Sequence, residues 1–234
     1  PEEAFISEGN GLEDLAYYCK RLENYPLAVK AFETAAGKTA LRSKVYPLLS
    51  QGRCEFRWSR EPADIDATRS ARQTRLRQAS QTLHSALDAA GADDSRDAAE
   101  ANWWLAQLLA EAGYSGPGNL DGAGGGPIAL EPLDRLRALH ERKQPAAGVE
   151  LTLRLKHFAA AWKQAELAAQ MAAKVAPQDG VTYTVDALEI GSELAALLKK
   201  YAALLPDVKR DAVLAKVRKG AADFLETAER EPAK

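Results

Sequence analysis

The feature that most constrains this chain is the spacing of its small residues within segments punctuated by proline and glycine. In 23-ENYPLAVKAFETAA-36, Ala28, Phe32 and Ala35 fall four and three apart, directly after a Tyr-Pro pair. That interval lines one stripe of an α-helix, and a stripe rich in alanine lets a second helix approach closely. Ala and Leu dominate the apolar share while aromatics make up only 7% of the chain, a balance that favours helix over strand. The spacing therefore predicts an all-α protein built from paired helices.

A pass along the sequence divides it at its breakers. Residues 1–10 read as a polar lead-in. A helix is expected over 11–22, with Leu12, Leu15, Ala16, Cys19 and Leu22 on one face. Pro26 suits the first turn of a second helix, which carries Leu27, Ala28, Ala31, Phe32 and Ala35 and stops near Gly37. Further helices are expected over 41–58, 71–91 and 95–113, with a polar break at 59–73 around Pro62. Together, 11–114 reads as the N-terminal set of hairpins. Six glycines and two prolines between 115 and 127 predict a flexible surface loop. A C-terminal set is expected over 128–230, before a short tail at 231–234. In it, 128–143 is helical, 148–176 is long enough for two helices, and helices cover about 186–205 and 207–229. Between them Pro177 to Gly180 reads as a turn, and 181-VTYTV-185, alternating in polarity without a strand partner, as extended loop.

The helical pairs show a recurring step. In the first pair the second helix gives Tyr25, Ala28, Phe32 and Ala35; in the fourth it gives Trp162, Ala165, Ala169 and Ala172, with Pro177 five residues later. Ala79, Leu83 and Ala86 repeat the same intervals. This pattern resembles the tetratricopeptide repeat (TPR), a helical hairpin of about 34 residues. The resemblance implies stacked antiparallel hairpins forming a right-handed TPR-like superhelix. The departures are an insertion before Ala79, the glycine-rich stretch at the third turn, and Ala169 where an aromatic belongs. A helical bundle without repeats is the alternative.

The resemblance also implies that a peptide or protein partner binds in a groove lined by the first helix of each pair. Carried onto the first pair, the groove residues are Asn10, Glu13, Tyr17, Lys20 and Arg21. Chaperone-binding members of the family hold two carboxylates with Lys and Asn at the positions of Glu13 and Tyr17, so that clamp is absent here. A second candidate is the arginine-rich segment 53–77, where Arg69, Arg72, Arg75 and Arg77 form a possible anion-binding stripe. The net charge of −2 makes nucleic acid an unfavoured partner for the chain as a whole. Trp103 and Trp104 cannot face the same way on one helix; one belongs to the core and the other to the groove, to inter-hairpin packing or to self-association.

No reaction is legible. The glycine-rich stretch lacks a Gly-Lys-Ser/Thr ending, and 113-GYSGP-117 has proline where a nucleophile elbow needs glycine. His84, His140 and His157 stand alone, so no metal, cofactor or catalytic residue is assigned. Cys19 and Cys54 read as small buried apolar residues, with a disulfide or reactive thiol as the alternative. No apolar run nears the roughly 20 residues that cross a bilayer. The chain begins at Pro1 with Met171 as its sole methionine, so an N-terminal portion is expected to be missing and no compartment is assigned. The functional expectation is a non-enzymatic protein- or peptide-binding module of unassigned oligomeric state. Its alternatives are an anion-binding helical domain or a self-assembling structural subunit.

Overall fold

A computed structural model describes residues 2–38, 44–61, 65–115, 146–200 and five isolated positions between 215 and 223. Among them the architecture is all-helical: α1 (Glu2–Tyr17), α2 (Asn24–Lys38), α3 (Val45–Arg60), α4 (Ile65–Ala90), α5 (Arg96–Ser115), α6 (Ala146–Val175) and α7 (Pro177–Lys200). The expected loop at 115–127, helix at 128–143 and tail at 231–234 lie outside the described residues apart from Ser115, as does most of 207–229.

Successive helices run antiparallel. Gly9 of α1 lies against the Phe32 ring of α2, and Gly52 of α3 against Leu83 of α4. In the third pair, Asp94 just before α5 accepts from Lys174 near the end of α6, and Asn102 meets Met171. Odd-numbered helices are parallel to one another. Arg53 of α3 reaches Glu100 of α5, 47 residues on, while Arg96 and Trp103 of α5 reach Asp179 and Asp186 of α7, both 83 residues on. The fold is thus a row of hairpins whose first helices share one side. One apolar core runs through α3 to α7, centred on Leu49, Leu76, Leu83, Leu105 and Phe158. A second joins the first hairpin to α3 through Ala16, Tyr25, Ala28, Phe32 and Cys54.

Local sequence explains most of the boundaries. Pro26 and Pro47 occupy first turns, where a missing N–H costs no helical hydrogen bond. Ser95 caps α5, its hydroxyl accepting from the Ala98 amide at 3.2 Å. The α4 helix stops at Gly91, whose φ of 65° is the left-handed conformation that glycine adopts without a side-chain clash. Between α6 and α7 only Ala176 intervenes, and Gly180 makes that reversal possible. A Cβ at Gly180 would lie 2.9 Å from the Ala173 backbone nitrogen, which cannot move aside.

Several sequence expectations need correction. The polar lead-in is helical from Glu2, because Gly9 docks on Phe32 and gives the segment tertiary support. The first helix ends at Tyr17 rather than Leu22. Lys20 takes φ 55°, and the Arg21 amide bonds the Leu15 carbonyl at 3.2 Å, a left-handed helix cap built without glycine. Cys19 is consequently exposed, and Leu15, within α1, is exposed because the buried stripe runs through Gly9, Glu13 and Ala16 instead. α3 begins at Val45 and α4 already at Ile65, confining the polar break to a few residues. Residues 146–175 form one helix, not two, so Trp162, Ala165, Ala169 and Ala172 belong to the second helix of the third pair. Residues 181–185 are helical within α7. Pro177 at its first position and Asp179 in its first turn favour initiation there. Burial of Tyr183, Ala187 and Ile190 then outweighs the few tenths of a kcal/mol per residue that β-branched side chains cost a helix.

Candidate protein-interaction face

The shared side of α1, α3, α5 and α7 carries a connected set of charged and aromatic side chains. Its anchor is Glu13, whose side chain is only 2% exposed. Arg53 donates to both its oxygens, Nε to Oε1 at 3.0 Å and Nη2 to Oε2 at 2.7 Å. Arg57, one turn along α3, adds Nη1 to Oε1 at 2.9 Å. Burial by itself would lower the Arg53 pKa; the hydrogen bond and charge of Glu13, with Glu100 beyond, reverse this and hold it above its ordinary value. The arrangement is a forked carboxylate–guanidinium pair with a second cation alongside.

From Arg57 a ladder of rings crosses the other helices. Its guanidinium lies 4.3 Å from the Tyr17 ring centre on α1 and 5.2 Å from that of Trp104 on α5. Trp104 packs edge-on against Trp103 at 4.6 Å, and Trp103 stacks on Tyr183 of α7 at 5.4 Å. The rings are pinned by their polar atoms: Trp104 Nε1 donates to Glu100 at 3.1 Å and Trp103 Nε1 to Asp186 at 2.5 Å. Gln107 also donates to Asp186. Adjacent residues point about 100° apart on a helix, and here both directions are used. α5 lies between α3 and α7, so Trp104 leans to one neighbour and Trp103 to the other. Both tryptophans remain partly exposed. Burial also raises the Tyr183 pKa, with the charges of Glu100 and Asp179 adding to the rise.

The groove residues named from the sequence divide. Asn10 pairs with Tyr46 across α1 and α3. Glu13 is on the face but buried, its lone pairs taken by the two arginines, so it organises the surface rather than presenting a charge. Tyr17 is 37% exposed at one end of the ladder. Lys20 and Arg21 sit in the turn after α1, where Lys20 bonds Glu61 at 2.9 Å and Arg21 approaches Glu23. The arginine stripe is partly spent as well. Arg72 pairs with Glu111, and Arg75 lies 3.8 Å over the Trp58 ring, where burial lowers its pKa. Arg77 is partly buried, and the Arg69 side chain lies outside the described residues. Ala28, Phe32, Ala35, Ala165 and Ala172 are fully buried and Ala169 nearly so, and all but Ala35 belong to the apolar clusters between helices.

Sequence reading did not join Arg53, Arg57, Glu100, Trp104 and Asp186 into one site. Arg53 and Arg57 stand one helical turn apart, a spacing that puts both cations on one face of α3 but does not point to the acid 40 residues away. Among the described residues, no three His, Cys, Asp or Glu side chains converge as a metal site would require. Nor is any helix among them long and apolar enough to cross a membrane.

No protein-family model matches the chain, and no curated protein does. Solved structures with a similar outline include the de novo designed helical repeat protein DHR64, at 17% identity and a TM-score of 0.42 over 98% of this chain and 95% of that one. The DHF58 filament is 16% identical with a TM-score of 0.42, over 99% and 97%. The DHF79 filament is 16% identical with a TM-score of 0.35, over 93% and 96%.

Proposed function

We propose that this protein is a non-enzymatic interaction module that holds a protein or peptide partner against its odd-numbered helices, on a right-handed TPR-like superhelix. The observation that carries the reading is the Tyr17–Arg57–Trp104–Trp103–Tyr183 ladder, which crosses all four of those helices. Tyr, Trp and Arg dominate the energetics of protein interfaces because they offer large contact area with few rotamers to freeze. Glu13, Glu100 and Asp186 already fix these side chains, so a partner meets a surface whose ordering cost is small. The anion-binding alternative is less favoured, since Arg72 and Arg75 are engaged within the fold.

Affinity capture from a lysate of the source cells tests the proposal, comparing the parent chain with a Tyr17→Ala, Trp104→Leu variant whose helicity is confirmed by circular dichroism. A partner bound by the parent and lost by the variant is the expected result. A partner held equally by both would place the binding surface elsewhere.

A further inference from the structure

Beyond the ladder, the same side of the molecule opens into a cleft of about 800 Å³ between α5 and α7, floored by Phe158 of α6. Its walls are mixed in a directed way. α7 presents Val185 and Leu188 as apolar wall, and Val181, one turn before Val185, is 58% exposed. Alongside run Asp186, Glu189 and Glu193, at intervals of three and four and so on one stripe of the helix. Asp186 accepts from Trp103 and Gln107, neutral donors that leave its charge uncompensated. Glu189 and Glu193 line the cleft and take part in none of the ion pairs of the described residues, unlike Glu13, Glu61, Glu111 or Asp179. The cleft therefore offers apolar burial and three negative charges together.

We infer that this cleft docks a basic amphipathic segment of a partner protein, one that inserts apolar side chains against Val185 and Leu188 and sets lysine or arginine on Glu189 and Glu193. This rests on the interaction-module reading and names the partner's chemistry. Charge complementarity decides the occupant: an acidic or neutral segment gains the same apolar contact but leaves the carboxylates unpaired or repelled. The exposed positions on α7 recur at helical spacing, which suits a helical ridge on the partner.

The test uses the full chain and a fluorescein-labelled 16-residue peptide of leucine and lysine with the leucines on one helical face, read by fluorescence anisotropy. Saturable binding is expected at near-physiological salt. Glu189→Gln with Glu193→Gln should weaken it about tenfold, the effect of losing two partly exposed ion pairs. Glu23→Gln with Glu33→Gln, an equal charge change at exposed positions remote from the cleft, should leave it unchanged. A peptide with glutamate in place of lysine should not bind. The proposal is overturned if both double variants weaken binding equally, if a scrambled peptide of the same composition binds as well, or if no binding occurs. Tyr17→Ala, Trp104→Leu separates the two readings. Peptide binding that survives in this variant while the captured partner also stays bound refutes the ladder and leaves the cleft standing. Peptide binding absent from the parent, with partner capture lost in the variant, refutes the cleft alone.

Discussion

Replacing Glu13 with alanine removes the single acid that two arginines share. Its carboxylate is 2% exposed and accepts three hydrogen bonds from Arg53 and Arg57, at 2.7, 2.9 and 3.0 Å. Breaking a buried ion pair by deleting one partner costs about 3–5 kcal/mol, because a desolvated charge is left uncompensated. Two features place this case at the lower end. Arg53 keeps a longer contact to Glu100 at 3.5 Å, and the guanidinium side chains retain 16% and 20% exposure, so water can reach them. A loss of about 3 kcal/mol is expected. Against a total stability of about 5–15 kcal/mol for a folded domain, that shift is easily resolved. Urea unfolding at pH 7 followed by circular dichroism gives the number. A Glu13→Leu, Arg53→Met double variant should lose less than Glu13→Ala, since apolar replacement of both partners leaves one fewer stranded cation. A loss below about 1 kcal/mol for Glu13→Ala would show that the pair is not desolvated, because that is the value of a solvent-screened surface pair.

Other expectations follow from the packing. Burial raises the Glu55 carboxyl above its ordinary value, against the pull of hydrogen bonds from Gln51 and Thr82 and with a further push from Glu33. The folded state then holds this proton more tightly than the unfolded chain, so stability falls as pH climbs from the ordinary carboxylate pKa of about 4.3 through the raised one. Glu55→Gln should accordingly be more stable than the parent at pH 7, with the gap closing in acid; thermal melts across that range check the sign. Ala28→Trp should cost about 1–3 kcal/mol, read as a lower melting temperature, because the fully buried Ala28 sits where the first hairpin closes. Gly180→Val should cost a similar amount, about 1–3 kcal/mol, by wedging α6 from α7 at their one-residue connection; an unchanged melt would mean the turn yields easily.

What the sequence made legible was local. The Ala28, Phe32 and Ala35 stripe, the first-turn Pro26 and the end of α4 near residue 91 are each set by contacts within a few residues, and each left its mark in spacing. The segments misread were those where tertiary contact overrides local preference. Residues 2–10 look like a polar leader, yet the absence of a side chain at Gly9 lets α1 settle on Phe32. Residues 181–185 have strand-like alternation, yet Tyr183 stacks on Trp103, giving the helix a buried face that alternation in sequence conceals. The pairing of α5 with α6 joins segments separated by residues 116–145, a partnership that no spacing in the chain encodes.

The candidate face was legible in its parts and illegible in its assembly. Tyr17 and Glu13 were placed there through the first helix, and both tryptophans stood out as adjacent aromatics. Their relation was hidden because Glu13 meets its arginines 40 and 44 residues away, and Trp103 meets Asp186 at 83. The tetratricopeptide resemblance puts Lys20 and Arg21 on the face as residues of the first helix, and the left-handed turn at Lys20 takes both out of that helix.

The most direct test of the account is hydroxyl-radical footprinting of the captured complex against the free protein, read by mass spectrometry at the aromatic residues. Protection is expected at Tyr17, Trp103 and Trp104, with Tyr18, 71% exposed in the turn after α1, reacting equally in both states. Protection confined to Tyr18, with the ladder as reactive as in the free chain, would contradict it.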